Sequence, residues 1–134
     1  MTIRTALPED TGILSENDRH VAPEELCSLI AAGRILIAEE DQRFIGWLRW
    51  NLFWDNIPFM NMLYLLDGCR KKGYGRELVL YWERLMFQKG YRLVMTSSLS
   101  NEEAQHFYRK LNYTDAGSLL LKDEPLEIIF TKEL

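Results

Sequence analysis

The segment Arg70-Lys71-Lys72-Gly73-Tyr74-Gly75-Arg76 gathers four basic side chains and two glycines within seven residues. Glycines at 73 and 75 open backbone conformations closed to other residues and leave the neighbouring amides unshielded. Where a helix starts at such a turn, its first N–H groups point outward and its dipole adds partial positive charge, a combination that favours a phosphate. Arg70, Lys71, Lys72 and Arg76 raise the local potential further, and a pyrophosphate fits. The spacing satisfies neither the GxxxxGK[S/T] phosphate loop nor the GxGxxG dinucleotide fingerprint. As a bare segment, it also suits a glycine-containing turn with solvated lysines.

Flanking elements must hold this turn. Residues 59–66 are apolar except for Asn61 and stop at Asp67-Gly68, which predicts a central strand covered on both faces. From 75 to 89, Leu78, Tyr81, Trp82, Leu85 and Met86 recur at three- and four-residue intervals, predicting a helix that Gly90 closes. Upstream, residues 2–6 read as an edge strand and 8–20 as polar and turn-rich, and Pro23 opens a helix ended by Gly33. Residues 34–39 and 44–50 are β-rich runs joined as an antiparallel hairpin by Glu40-Asp41-Gln42-Arg43. Downstream come a short strand at 93–97, an amphipathic helix at 101–111, and a closing hairpin of 118–121 and 126–131 around Lys122-Asp123-Glu124-Pro125. This order predicts an α/β fold, a mixed sheet with helices on its faces.

The 134 residues, 47% hydrophobic with 4 Trp, 6 Tyr and 6 Phe, suffice for one buried core, so 1–134 reads as a single domain. No apolar run reaches 18 residues and the N-terminus lacks a targeting pattern, which predicts a cytoplasmic protein with no membrane partner. The net charge of −4 weighs against nucleic acid. It is unevenly placed: residues 1–67 hold 5 Lys/Arg against 11 Asp/Glu, and residues 68–134 hold 11 against 9. The second half is where an anionic ligand is expected. Cys27 and Cys69 belong to no metal-ligand spacing, so no metal is expected.

Arg70-x-x-Gly73-x-Gly75, after an apolar strand and before a helix, resembles the R/Q-x-x-G-x-G/A acetyl-CoA motif of the GNAT superfamily of N-acetyltransferases. Asn101-Glu102-Glu103-Ala104-Gln105-His106-Phe107-Tyr108 resembles that family's N-x-x-A-x-x-F-Y helix. Arg109-Lys110-Leu111-Asn112-Tyr113 is similar to the segment that follows, with Asn112-Tyr113 in place of the usual Gly-Phe; Asn tolerates a left-handed backbone. The resemblance covers about 34–134, and the first 33 residues match in layout only. It implies a mixed, mostly antiparallel sheet flanked by helices, with strands splayed at the acetyl-CoA site.

The resemblance further implies that main-chain groups of Tyr64, Leu65 and Leu66 pair with the pantetheine arm. The turn of Arg70, Lys71, Lys72, Gly73, Tyr74, Gly75 and Arg76 would cradle the pyrophosphate, and Asn101 would hydrogen-bond the pantetheine. Acetyl-CoA is then the co-substrate, and a neutral amine attacks its thioester directly. An amide near Leu65 would stabilise the thioester oxygen. Tyr108 would give the leaving sulfur a proton or a hydrogen bond, the other reading of this residue being a helix aromatic packed on the sheet. Asn61 stands where some relatives carry a Glu and cannot serve as base; Glu39, Asp55, Asp67, His106 or a water chain ending in solvent could serve, none of them assigned. Trp47, Trp50, Phe53, Trp54 and Phe59 either border the acceptor or pack the core or a dimer contact. A small-molecule amine is the expected acceptor and a peptide amine the runner-up, and the exposed closing hairpin permits a homodimer. The rivals from other classes are a non-catalytic acyl-CoA sensor and a Trp-rich interaction surface.

Overall fold

The apolar runs of the chain become strands β1 (Thr2–Thr5), β2 (Ile35–Glu40), β3 (Arg43–Phe53), β4 (Ile57–Leu65), β5 (Leu93–Leu99), β6 (Thr114–Leu119) and β7 (Glu127–Glu133) in a computed structural model describing residues 1–134. Helices α1 (Thr11–Asn17), α2 (Pro23–Ala31), α3 (Tyr74–Gln88) and α4 (Ala104–Lys110) complete a mixed α/β fold. The strand order is β1-β2-β3-β4-β5-β7-β6. Pairing is parallel at β4–β5 and antiparallel in β1–β2, β2–β3, β5–β7 and β6–β7. The residues form two compact units, Met1–Asn51 with Met62–Tyr81 and Leu52–Asn61 with Trp82–Leu134, so β4 and α3 each give residues to both.

In the first unit, Leu14 of α1 and Leu26, Leu29 and Ile30 of α2 pack with Ile35, Ile37 and Trp47 of the sheet. The β2–β3 hairpin turns through Asp41 (φ 51°) and Gln42 (φ 63°), a left-handed pair whose twist matches that of antiparallel strands. The polar stretch read as turns contains α1. Its one buried residue, Leu14, leaves no apolar period to detect, and the element is held from outside. Asp10, just before it, accepts the Leu7 N–H at 2.7 Å and both ends of the Arg4 guanidinium at 2.7 and 2.9 Å, tying the entry to β1.

In the second unit, β5 is in parallel register with β4 at Phe59↔Met95 and Met60↔Thr96, and antiparallel to β7 from Leu93↔Glu133 to Leu99↔Glu127. Val94, Phe130, Trp82 and Met86 are fully buried here. Buried Glu83 accepts from the Tyr113 hydroxyl at 2.9 Å and from Lys132 at 2.8 Å, satisfying a carboxylate that would otherwise be costly to bury. Strand β6 starts four residues earlier than the sequence suggests. Arg109 holds Asp115 through two bonds of 2.9 Å, and a bulge between Asp115 and Gly117 carries the strand into register with β7. Leu120 and Leu121 fall beyond the strand and are exposed. Strand β4 is half covered rather than covered on both faces, with Asn61 and Tyr64 exposed. Asn112 has φ 70°, the left-handed backbone for which Asn is suited.

Candidate functional site

Between β4 and α3 the chain passes through three left-handed residues, Gly68 (φ 83°), Lys71 (φ 62°) and Gly73 (φ 81°). The Gly73 carbonyl accepts the Glu77 N–H at 3.1 Å, the first bond of α3. The N–H groups of Tyr74, Gly75 and Arg76 therefore have no acceptor within the helix and stand at its positive end. A Cβ added at Gly73 would meet nothing within 4 Å, so the space before this residue is open and its dihedral is what demands glycine. Gly75 differs from the expectation. It lies within α3 and is not left-handed, so it contributes the absence of a side chain beside the first-turn amides.

Lys71, Lys72 and Arg76 are exposed. Arg70 turns back onto the strand instead: its Nε donates to the Leu65 carbonyl at 2.9 Å, and its guanidinium lies 4.7 Å from the centre of the Tyr64 ring. The Tyr74 hydroxyl donates to Glu40, whose carboxylate holds that phenol's pKa above the ordinary value. That bond anchors the first residue of α3 to the end of β2.

Along β4, the Leu66 N–H donates to the Ile45 carbonyl at 2.8 Å. Main-chain directions alternate along a strand, so the N–H and C=O of Leu65 face the edge opposite β3, in agreement with Arg70 reaching the Leu65 carbonyl. Gly46 of β3 sits against this segment. A Cβ there would lie 2.4 Å from the Tyr64 oxygen and 3.2 Å from Leu65 Cα. The sequence reading passed over Gly46, although a lone glycine inside a strand pattern is the signal for close backbone approach.

Asn101 and Tyr108 belong to the second unit. Asn101 is exposed in a turn after β5, and α4 begins at Ala104 rather than at 101. The Gln105 amide donates to the Ser100 and Glu102 carbonyls at 2.8 and 2.9 Å, and the Glu102 carboxylate takes the Leu99 N–H at 3.0 Å, bonds that hold 101–103 as a turn. Tyr108 is 6% exposed, with its ring 5.3, 5.7 and 6.0 Å from those of Phe107, Tyr113 and Phe130. Burial pushes its phenol up to about 12, partly offset by a hydrogen bond with Thr96, so the proton stays on at neutral pH.

The structure thus gathers Tyr64, Leu65, Leu66 and residues 70–76 in one unit and places Asn101 and Tyr108 in the other. Trp47 and Trp50 are core residues, whereas Trp54 is 77% exposed at the tip of the β3–β4 hairpin with its ring 4.7 Å from Phe53. Among the candidate bases, Glu39 pairs with Arg4 at 2.6 Å, Asp67 lies 3.7 Å from Arg70, and Asp55 and His106 are exposed. A cavity of about 420 Å³ is lined by Met1, Thr2, Glu39, Glu40, Asp41 and Gln42. Its three carboxylates make it unfit for an anion.

The family model described as "Acetyltransferase (GNAT) family" matches residues 4–113. No curated protein sequence matches the chain. Among solved structures, a ribosomal-protein-alanine N-acetyltransferase from Brucella melitensis superposes with TM-score 0.80 at 16% identity, covering 100% of both chains. An aminoglycoside 6'-N-acetyltransferase complexed with coenzyme A gives TM-score 0.80 at 16% identity over 99% of this chain and 97% of the other. The protein yncA from Salmonella typhimurium, solved with its cofactor acetyl-CoA, gives 0.80 at 18% identity over 99% and 93%. At these identities the similarity is one of fold.

Proposed function

Because the chain belongs to the GNAT acetyltransferase family, we propose that it transfers the acetyl group of acetyl-CoA to a primary amine, with a small-molecule amine as the favoured acceptor, by direct attack in a ternary complex. The observation that carries this reading is the turn into α3: a left-handed glycine with open space before it, three first-turn amides without helical acceptors, and exposed Lys71, Lys72 and Arg76 around them. Those groups fit a pyrophosphate by charge and by donor direction. Residues 1–134 act as one N-acetyltransferase domain in the cytoplasm, with no nucleic-acid or membrane partner, and the exposed strand β6 of the closing hairpin leaves room for a homodimer.

Bound acetyl-CoA supplies an acetyl thioester whose carbonyl an amine can attack. The amides of Lys71 to Arg76 would hold the pyrophosphate, and main-chain groups of Tyr64, Leu65 and Leu66, with the Asn101 side chain, would hold the pantetheine. The Leu65 N–H, directed to the edge away from β3, would donate to the carbonyl oxygen as it gains charge. Tyr108, protonated at neutral pH, would donate to the leaving sulfur. The excess of carboxylates in residues 1–67 favours a cationic acceptor, and a peptide amine is the alternative within the same chemistry. A second reading, a sensor that binds acyl-CoA without turnover, draws on the engagement of the Tyr108 hydroxyl with Thr96 in the core.

The test is the shift in melting temperature on adding acetyl-CoA to the wild type and to Gly73→Glu, whose carboxylate repels the pyrophosphate. A rise in the wild type that is lost in the folded variant is expected, and thiol release across a panel of amines then separates enzyme from sensor. A folded wild type with neither shift nor heat of titration ends the reading.

A further inference from the structure

Trp47 of β3 and Tyr64 of β4 belong to the same unit, with ring centroids 5.1 Å apart. The Tyr64 ring also carries the Arg70 guanidinium, 4.7 Å from its centre, and Arg70 in turn holds the Leu65 carbonyl. At the other end the Trp47 indole N–H donates to Asp18 at 3.0 Å. Asp18 lies on the connection between α1 and α2 with its side chain 1% exposed, and Arg49 fixes it through bonds of 2.7 and 3.3 Å. Stacking alone, here with Phe44 at 5.9 Å and with Tyr64, tolerates rotation of a ring in its plane; an N–H bond to a carboxylate that cannot move does not. A buried ion pair is in itself weak evidence for stability, so the specific contribution of this one is orientation.

We propose that Asp18 is a positioning residue for the acetyl-CoA site: by fixing the Trp47 indole it sets the Tyr64 ring, and through Arg70 the main chain at Leu65. The proposal rests on the acetyl-CoA reading above. It assigns a role in cofactor binding to a carboxylate outside the turn and outside β4.

The experiment measures acetyl-CoA dissociation constants by calorimetry, with melting temperatures, for the wild type, Trp47→Phe, Tyr64→Leu, their double variant and Asp18→Asn. Trp47→Phe removes the N–H but keeps a ring against Tyr64. Asp18→Asn keeps an acceptor oxygen for the indole and removes the charge opposite Arg49. Trp47→Phe and Tyr64→Leu are each expected to weaken binding roughly three- to tenfold, and the double variant no more than the worse single one, because both cut the same chain of contacts. Asp18→Asn should lose more melting temperature than Trp47→Phe yet less affinity, an order that a purely structural role does not produce. If Asp18→Asn does not fold, the other three variants decide. A folded Trp47→Phe that binds as the wild type does, or losses of affinity that follow losses of melting temperature across the set, overturns the proposal. A wild type that fails to bind acetyl-CoA removes the site itself, a result distinct from either.

Discussion

A phenol held at about 12 keeps its proton across the range in which an enzyme works, whereas an ordinary thiol ionises near 8.5. Complete transfer of that proton from Tyr108 to a leaving thiolate is uphill by roughly 5 kcal/mol on this difference, so the useful act is hydrogen-bond donation. The sign follows from the direction of the shift. The donating form is the protonated one, and with the pKa raised it persists up to about pH 12, so Tyr108 should impose no alkaline limb between about pH 6 and 9. Tyr108→Phe is expected to lower kcat roughly a hundredfold at every pH in that window while leaving acetyl-CoA affinity close to wild type. Steady-state rates against pH check it. Full activity in the variant would leave ring packing against Phe107, Tyr113 and Phe130 as the whole role of the residue.

Between β3 and β4 the approach at Gly46 is closer than any side chain allows, since the nearest obstructing atom is the Tyr64 main-chain oxygen; the Leu65 Cδ2 beside it could turn away, but the backbone could not. Gly46→Ala must push the end of β4 outward. A loss of roughly 1–3 kcal/mol in denaturant unfolding is expected, together with weaker acetyl-CoA binding, because Leu65 is displaced with the strand. Wild-type stability and affinity in this variant would show that the strand end can shift at no loss. The example marks where the sequence stopped being informative. The glycine turn was legible because its residues are neighbours in the chain, and α3 because Leu78, Trp82 and Met86 repeat at helical spacing. The direction of the Leu65 amide, the role of Gly46 and the partners of Asp18 depend on register with a strand elsewhere in the chain, which no local pattern encodes. Helix α1 stayed hidden because one leucine anchors it, and the start of α4 was misplaced because side-chain bonds from Glu102 and Gln105 override the helical pattern.

For the molecule as a whole, a net charge of −4 repels an anionic ligand at long range, while Lys71, Lys72 and Arg76 attract it near the turn. Screening acts over about 8–10 Å at moderate salt, so both effects weaken as salt rises, and the sign of the net salt dependence tells which governs capture. Binding governed by the turn weakens with salt; binding governed by the whole-chain charge strengthens. The local groups lie against the phosphates, so acetyl-CoA affinity is expected to fall as salt rises, and Lys71→Ala with Lys72→Ala should flatten that slope. At a ligand concentration about a hundred times the dissociation constant, linkage adds about 2.7 kcal/mol of stability, which for a chain of this length raises the melting temperature by roughly 8–12 °C. Melting curves with and without acetyl-CoA at several salt concentrations measure both quantities. A shift that is insensitive to salt and unchanged by the lysine substitutions would assign the affinity to the main-chain amides of Tyr74, Gly75 and Arg76, with the lysines as solvated neighbours.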